Sequence, residues 1–402
     1  MVDAAASFAR DHAAPLAHPV ARAGSTVAVH TERAAAIAAY AAFARAVFSP
    51  SQSPAWIGSW ATETEADIVV ATLHGGKNPL MALAIEIVRS GPFRIGRFVS
   101  GRHANGNFAP LAGPSDAIGA DDLLSLAAAI HAARPDLDLL SLERLCDRLD
   151  GQENPFLRLP HDPSPNLSLA VDLSGGFEGV LERSSGKRKR KKHRSQTRKF
   201  EAAGGYRLIE ARSPQDVTRL LDAFFAMKRE RFAKMGVADV FAPAGVKAFF
   251  RRLFTEALVK DPPAFSLEAL EVNGELRAVT GSSRSEGRVI CEFGAIREDE
   301  LSGASPGDFL FFENIARASA EGCSVYDFSV GDEPYKRQWC DLEVRQFDVL
   351  VPLTLKGRFA AAGLRGLSRG KAALKNNRFA WRVYKTLRRG KRSAAPQASA
   401  ED

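Results

Sequence analysis

No run in this chain approaches the roughly 18 uncharged apolar residues that a membrane-spanning helix needs, so no span is predicted. Cysteine is scarce: Cys146, Cys291, Cys323 and Cys340 stand apart with no C-x-x-C pair. That excludes a disulfide framework and points to reduced thiols in a cytosolic protein. No H-x-x-x-H or Cys/His cluster suggests a metal. The first 25 residues are Ala-rich and lack the basic start and apolar run of a secretory signal, so 1–25 is expected to be a disordered lead-in. Acid is missing from two stretches. Residues 187–199 hold nine Lys/Arg and no Asp/Glu, and 349–400 hold thirteen and again none. Setting those 22 bases aside leaves 33 of the 55 against 47 acids, a net −14 for the remainder of a chain whose total is +8. The basicity is therefore local, and a general nucleic-acid groove is poorly supported.

What is present suits real cores: 402 residues, 45% hydrophobic, enough for two to three domains. The first half reads as a strand (TVAVHT), an Ala-rich helix, a Pro-broken helix carrying Trp56 and Trp60, a meander turned by Gly75-Gly76, an irregular loop HANGNFAPLAGPS, a helix and the strand LDLLSL. The second half repeats this plan. After LSLAVDL and a helix running into KRKRKKHRSQTRKF come YRLIEA, two periodic helices, a three-stranded meander with an Asn273-Gly274 turn, a helix, and VYDFSV. RQFDVLVPLT is expected to close the second sheet. The expected fold class is α/β with mixed sheets in two similar lobes, 26–153 and 167–355, joined by a Pro-rich linker at 154–166 and followed by a basic tail at 356–402.

The most informative stretch runs from Ile296 to Trp339. Ser305 is placed as an N-cap, Pro306 at the first helical position, and Asp308 completes a capping box. Phe309, Phe312 and Ala316 follow helical spacing, and Gly322 ends the helix. Gly307 inside a first turn costs about 1 kcal/mol against alanine. Either a phosphate approaches the bare backbone at a helix N-terminus, or the helix packs tightly on a strand. Gly303-Ala304-Ser305-Pro306-Gly307 also matches G-x-S-x-G, but that elbow needs the N–H after the serine, and Pro306 has none.

SPG, a helix, Gly322, then Tyr-Asp-Phe, Gly-Asp-Glu and Tyr-Lys before Trp339 resemble the CelD-type branch of the GNAT-fold acyltransferases. Those proteins are similar to ones encoded with bacterial cellulose and exopolysaccharide genes and, more distantly, to the FemABX aminoacyltransferases. The resemblance spans about residues 26–355 and implies two tandem GNAT-like lobes. It implies acetyl-CoA or another acyl-CoA as co-substrate, held at Gly303, Ser305, Gly307, Asp308 and Phe309, where the wider fold carries Gln/Arg-x-x-Gly-x-Gly/Ala. It further implies an amine or hydroxyl acceptor on a small-molecule or lipid-linked sugar or envelope precursor. A Fem-like aminoacyl-tRNA donor, or an inactive scaffold at a polysaccharide synthase, are the alternatives.

Acyl transfer needs a base, oxyanion donors and a proton for the leaving group. The resemblance makes Glu292 the candidate base, against a solvent-facing residue of a half-buried strand. Asp332, Tyr335 and Lys336 cluster beyond a strand end: Tyr335 to protonate a thiolate, Lys336 to hold acceptor or developing charge, against a solvated turn. Asp327 and Ser329 read as a buried structural pair. The 187–199 run is read as a solvated helix or a phosphate-binding face. The tail, with Phe379, Trp381, Tyr384 and Leu387 among arginines, reads as a membrane-surface segment or as disorder, placing the protein in the cytoplasm or peripherally at the membrane's inner face.

Overall fold

β-Branched and apolar runs punctuated by residues that accept positive φ build both meanders. The computed structural model describes residues 24–285 and 287–376. The first half contains β1 (Ser25–His30), α1 (Arg33–Ala41), α2 (Pro54–Glu63), β2 (Ile68–Gly75), β3 (Asn78–Ser90), β4 (Phe93–Phe98), α3 (Ala120–Ala133) and β5 (Leu139–Cys146). The short strands β6 (Arg148–Leu149), β7 (Gln152–Glu153) and β8 (His161–Pro163) follow. The second half opens with β9 (Ser168–Asp172), α4 (Gly176–Arg183), α5 (Gly186–Ala202), β10 (Tyr206–Glu210), α6 (Pro214–Met235) and α7 (Ala244–Ala257). It continues through β11 (Phe265–Val272), β12 (Glu275–Ser285), β13 (Arg288–Ile296), α8 (Pro306–Ala320) and β14 (Val325–Val330). It ends with β15 (Leu342–Val344), β16 (Gln346–Pro352) and α9 (Leu355–Asn376). Asn273 and Gly274, at φ 51° and 76°, make the β11–β12 hairpin as expected.

Two seven-stranded sheets result, ordered β1-β2-β3-β4-β5-β16-β8 and β10-β11-β12-β13-β14-β9-β15. Each is antiparallel except for one central parallel pair, β4 with β5 and β13 with β14. Two sequence expectations are corrected here. RQFDVLVPLT closes the first lobe's sheet, because β16 pairs with β5 and β8, while the place beside β14 is taken by β9. The supposed linker at 154–166 is structured and carries β8. The second half thus donates one strand, β16, to the first lobe's sheet, and its entry is tied to the segment between the lobes where Ser164 N donates to Gln346 O at 2.8 Å. β16 has ordinary strand composition, so local sequence does not say which sheet it joins.

The largest core lies between the lobes. Trp56 and Trp60 of α2 pack edge-on against Phe249 of α7 at 5.1 and 5.0 Å. Each indole N–H is satisfied, by Ser100 Oγ and Glu86 Oε2 respectively. Fully burying such rings is worth about 1.5–3 kcal/mol apiece, so this contact holds the lobes as one unit.

Candidate active site

β12 and β13 pair in register up to Ser282–Cys291 and again from Gly281–Phe293, so Glu292 is the extra residue of a β-bulge. The bulge inverts the alternation of the strand. Val289 and Cys291 pack toward α8, whereas Phe293 and Ala295 pack among the phenylalanines of α6 and α7. Gly281 permits this, since any Cβ there would lie 2.2 Å from the Phe293 ring. A bulge beside a site re-aims one side chain, here the Glu292 carboxyl, into the gap between the lobes.

That gap is a cleft of about 610 Å³ whose walls include Ser51, Asn105 and Cys146 from the first lobe and Arg288, Glu292 and Asp327 from the second. Asn105 Nδ2 donates to Glu292 Oε2 at 2.7 Å and to the Glu292 carbonyl at 2.9 Å, while Ser283 Oγ donates to Oε1 at 2.5 Å. Asn105 belongs to the irregular loop of the first lobe, and its own carbonyl accepts from Gln346 Nε2 of β16 at 2.7 Å. Three distant segments therefore fix one carboxyl group. Burial pushes its pKa up to about 7, against the pull of the Ser283 and Asn105 hydrogen bonds.

The parallel pairing of β13 with β14 ends at Ile290–Asp327, although both strands run on. Asp327 accepts from Ser168 Oγ, from the Ser329 N–H and from Arg288 Nη1, a satisfied structural cluster. Beyond it the sequence-predicted group separates. Lys336 is buried, with its ammonium on the carbonyls of Ser329 (3.2 Å) and Val330 (3.0 Å) and on Glu333 (3.1 Å). All three of its protons are thereby engaged, and the expected hold on acceptor or developing charge gives way to tying the loop to β14. Asp332 sits outside the cleft in an exposed pair with Arg337. Tyr335 stacks on Phe311 at 5.6 Å and meets Phe328 edge-on, on the α8 side of the sheet. Burial raises its phenol above the usual range, which keeps it protonated.

The loop before α8 also departs from expectation. Ser305 has φ 57° and makes no side-chain cap, so the capping box is absent. Instead Gln196 Nε2 of α5 donates to the carbonyls of Ala304 and Ser305. Asp308 is held by Lys192 at 2.9 Å and accepts from the Trp339 indole Nε1 at 3.4 Å. A Cβ on Gly307 would lie 2.8 Å from Ile296 Cγ2, so this glycine serves helix–strand packing. Phe309 is fully buried under the ring of His193 and cannot touch a ligand, which corrects its place among the donor-binding residues. Of the two glycines here, Gly303 and not Gly307 has open space where a Cβ would stand. At the start of α8 the Ser305 and Asp308 N–H groups are taken by the Ser302 and Ser305 carbonyls, Pro306 has none, and Lys192 is engaged by Asp308.

The basic run is an amphipathic helix. Its inner side sets His193, Gln196 and Phe200 against α8, and its outer side shows Lys187, Arg188, Lys191, Arg194, Arg198 and Lys199, none ion-paired among the described residues. Sequence reasoning missed Asn105, Ser283 and Lys228. An isolated glycine within a strand, Gly281, was the available signal for the bulge. Lys228 of α6 lies 5.6–5.9 Å from the rings of Phe224, Phe232 and Phe241, and desolvation lowers its pKa to about 8. Among the described residues no group of three His, Cys, Asp or Glu is arranged to hold a metal.

Residues 187–337 match the acetyltransferase (GNAT) domain family. That span contains the bulge, α8 and the Tyr335–Lys336 turn; the first lobe lies outside it. FemX is similar in structure, with a TM-score of 0.55 at 10% identity over 81% of this chain and 97% of its own. The C-terminal domain of a putative lysylphosphatidylglycerol synthetase from Agrobacterium fabrum gives 0.48 at 11% over 84% and 96%. A tandem GNAT protein from the clavulanic acid pathway gives 0.44 at 12% over 82% and 98%. At such identity the FemX likeness speaks for the fold alone, an α/β chain of two similar lobes, and the GNAT match is to residues 187–337 of the second. No curated protein matches the chain in sequence.

Proposed function

We propose that the protein transfers an acyl group from an acyl-CoA thioester to an amine or hydroxyl acceptor lying between the lobes, with Glu292 as general base. The observation that carries this reading is a single carboxyl group, aimed into the interlobe cleft by a bulge and held from the opposite lobe, where burial pushes its pKa up to about 7. Such a base is matched to neutral pH: it is a stronger proton acceptor than an ordinary carboxylate and is still partly ionised there. Glu292 takes the acceptor proton as the acceptor forms its bond to the carbonyl carbon; the C–S bond then breaks. The protonated phenol of Tyr335, across the β13–β14 divergence, supplies the proton to the departing thiolate. The attack is direct, because burial pushes Cys146, Cys291 and Cys340 up to about 12 and leaves no ready thiolate nucleophile. The diphosphate of the donor is assigned to the uncapped start of α8, beside Gly303.

The acceptor class, a sugar or envelope precursor, follows from the CelD-type resemblance. A Fem-like aminoacyl-tRNA donor is favoured by one observation, the row of unpaired cations on α5. The test is ligand-induced stabilisation with acetyl-CoA, longer acyl-CoAs and free CoA, run on the wild type and on Glu292→Gln alongside turnover. Both proteins should be stabilised by the same CoA species, with transfer in the variant reduced by about a hundredfold or more. If no CoA species stabilises either protein the donor assignment fails. Normal turnover by Glu292→Gln removes the base.

A further inference from the structure

α9 is built inside out. Its sheet-facing side is mostly small: Gly357, where a Cβ would lie 1.8 Å from the Asp138 carbonyl oxygen, and the buried Ala360 and Ala361, with Leu364 packed against the same core. Three other large apolar side chains point the other way. Leu355, Phe359 and Leu367 are 71%, 76% and 64% exposed. Their spacing of four and eight residues keeps them on one side of the helix over about 18 Å, with Ala362 and Gly366 between them. A helix that served only to cover its sheet would put leucine and phenylalanine inward and alanine out. The apolar stripe therefore contributes nothing to this fold.

The charges beside the stripe are of one sign. Lys356, Arg358, Arg365 and Arg369 flank it, and no acidic residue occurs between 349 and 400. Arg365 and Arg369 share Asp162, and Lys356 lies near Asp138, while Arg358 has no acidic partner among the described residues. We propose that the outer face of α9 docks the protein peripherally on an anionic bilayer, with Leu355, Phe359 and Leu367 entering the headgroup boundary and the cations meeting lipid phosphates. Among the described residues no helix is long and apolar enough to cross a membrane, so the contact is one of surface docking. A nucleic acid would satisfy the cations and leave the phenylalanine without a purpose. The proposal rests on α9 and is independent of the acyl-transfer reading.

The test is co-sedimentation of the full chain with vesicles of phosphatidylcholine containing roughly one-third phosphatidylglycerol, against phosphatidylcholine alone. The wild type should sediment with the anionic vesicles, less so at high salt, and stay in solution with the neutral ones. Leu355→Ser combined with Phe359→Ser should lower the partition by about tenfold or more with an unchanged melting temperature, since neither side chain is buried. The proposal is overturned if the wild type ignores anionic vesicles, or if the double variant binds them as well as the wild type, as cations alone would allow. It is equally overturned if the wild type is a dimer in sedimentation velocity and the variant a monomer, which would make a second copy the occupant.

Discussion

In both lobes a parallel pair stops early, β4 with β5 at Arg97–Ser141 and β13 with β14 at Ile290–Asp327. In the first lobe the chain itself takes up what β5 leaves. Asn107 N donates to the Arg144 carbonyl at 2.8 Å, and Cys146 N donates to the Asn107 carbonyl at 3.0 Å. The helix that follows, α3, starts on its own carboxylate, Asp122 accepting from the Gly119 N–H. In the second lobe the end of β14 is satisfied by the ammonium of Lys336, and α8 starts without a side-chain cap. One plan is thus closed by its own backbone in one lobe and left accessible in the other. The closed lobe is not idle: its filling loop delivers Asn105 to the other lobe's Glu292. The difference explains how a duplicated architecture supports a single candidate site, one copy becoming a wall and a positioning arm.

The comparison breaks most severely if the strand crossing is undone. Val349 of β16 is fully buried in the first lobe's core although it follows the whole second lobe in sequence. Val349→Asp puts an unpaired charge there and should cost on the order of 4 kcal/mol or more. Because β16 crosses into the first lobe and the largest core is shared, both lobes should lose their structure together in one cooperative transition by calorimetry. Two separated transitions, with the second lobe unchanged, would show that the crossing does not couple them.

A milder change sharpens the comparison by cutting only the arm. Asn105 donates to the ionised form of Glu292, so Asn105→Ala should raise that pKa further. The active form is the carboxylate, so the rate climbs as pH rises through about 7 in the wild type. In Asn105→Ala the same limb should move about one unit higher, a loss of about tenfold at neutral pH that high pH restores. The stability consequence has the opposite sense: with a folded pKa above the ordinary carboxylate value, Glu292 favours the fold most below about 4.5 and loses that contribution as pH rises through about 7. A uniform drop in kcat at every pH would make Asn105 a packing residue instead.

These elements differ in how far local sequence reveals them. Both meanders, their hairpin turns and the two-lobed plan were legible, because Gly76 and Asn273-Gly274 carry their turn chemistry in their own residues. The GNAT resemblance made Glu292 a candidate, but said nothing of the bulge that aims it, where Gly281 on a neighbouring strand leaves room for Phe293. The crossing of β16 and the place of β9 beside β14 were illegible, because both pairings are decided across more than 150 residues while each strand looks alike in composition. Lys336 was misread for a related reason. Nothing in Gly-Asp-Glu-Pro-Tyr-Lys says that the ammonium folds back onto carbonyls six and seven residues earlier.

The smallest effect concerns how α8 begins. Alanine at 307 gains about 1 kcal/mol in helix propensity but puts its Cβ 2.8 Å from Ile296 Cγ2, and such overpacking costs about 1–3 kcal/mol. Gly307→Ala should therefore destabilise by about 1 kcal/mol net in chemical denaturation. Adding Ile296→Ala removes the opposing methyl, so the double variant should be more stable than the sum of the two single changes predicts. If the glycine instead admits a diphosphate, Gly307→Ala alone would leave stability intact and abolish stabilisation by CoA, and Ile296→Ala would not rescue it. In α3 the corresponding start is already filled by Asp122, so removing that carboxylate should cost about 1 kcal/mol of stability and leave any response to CoA untouched.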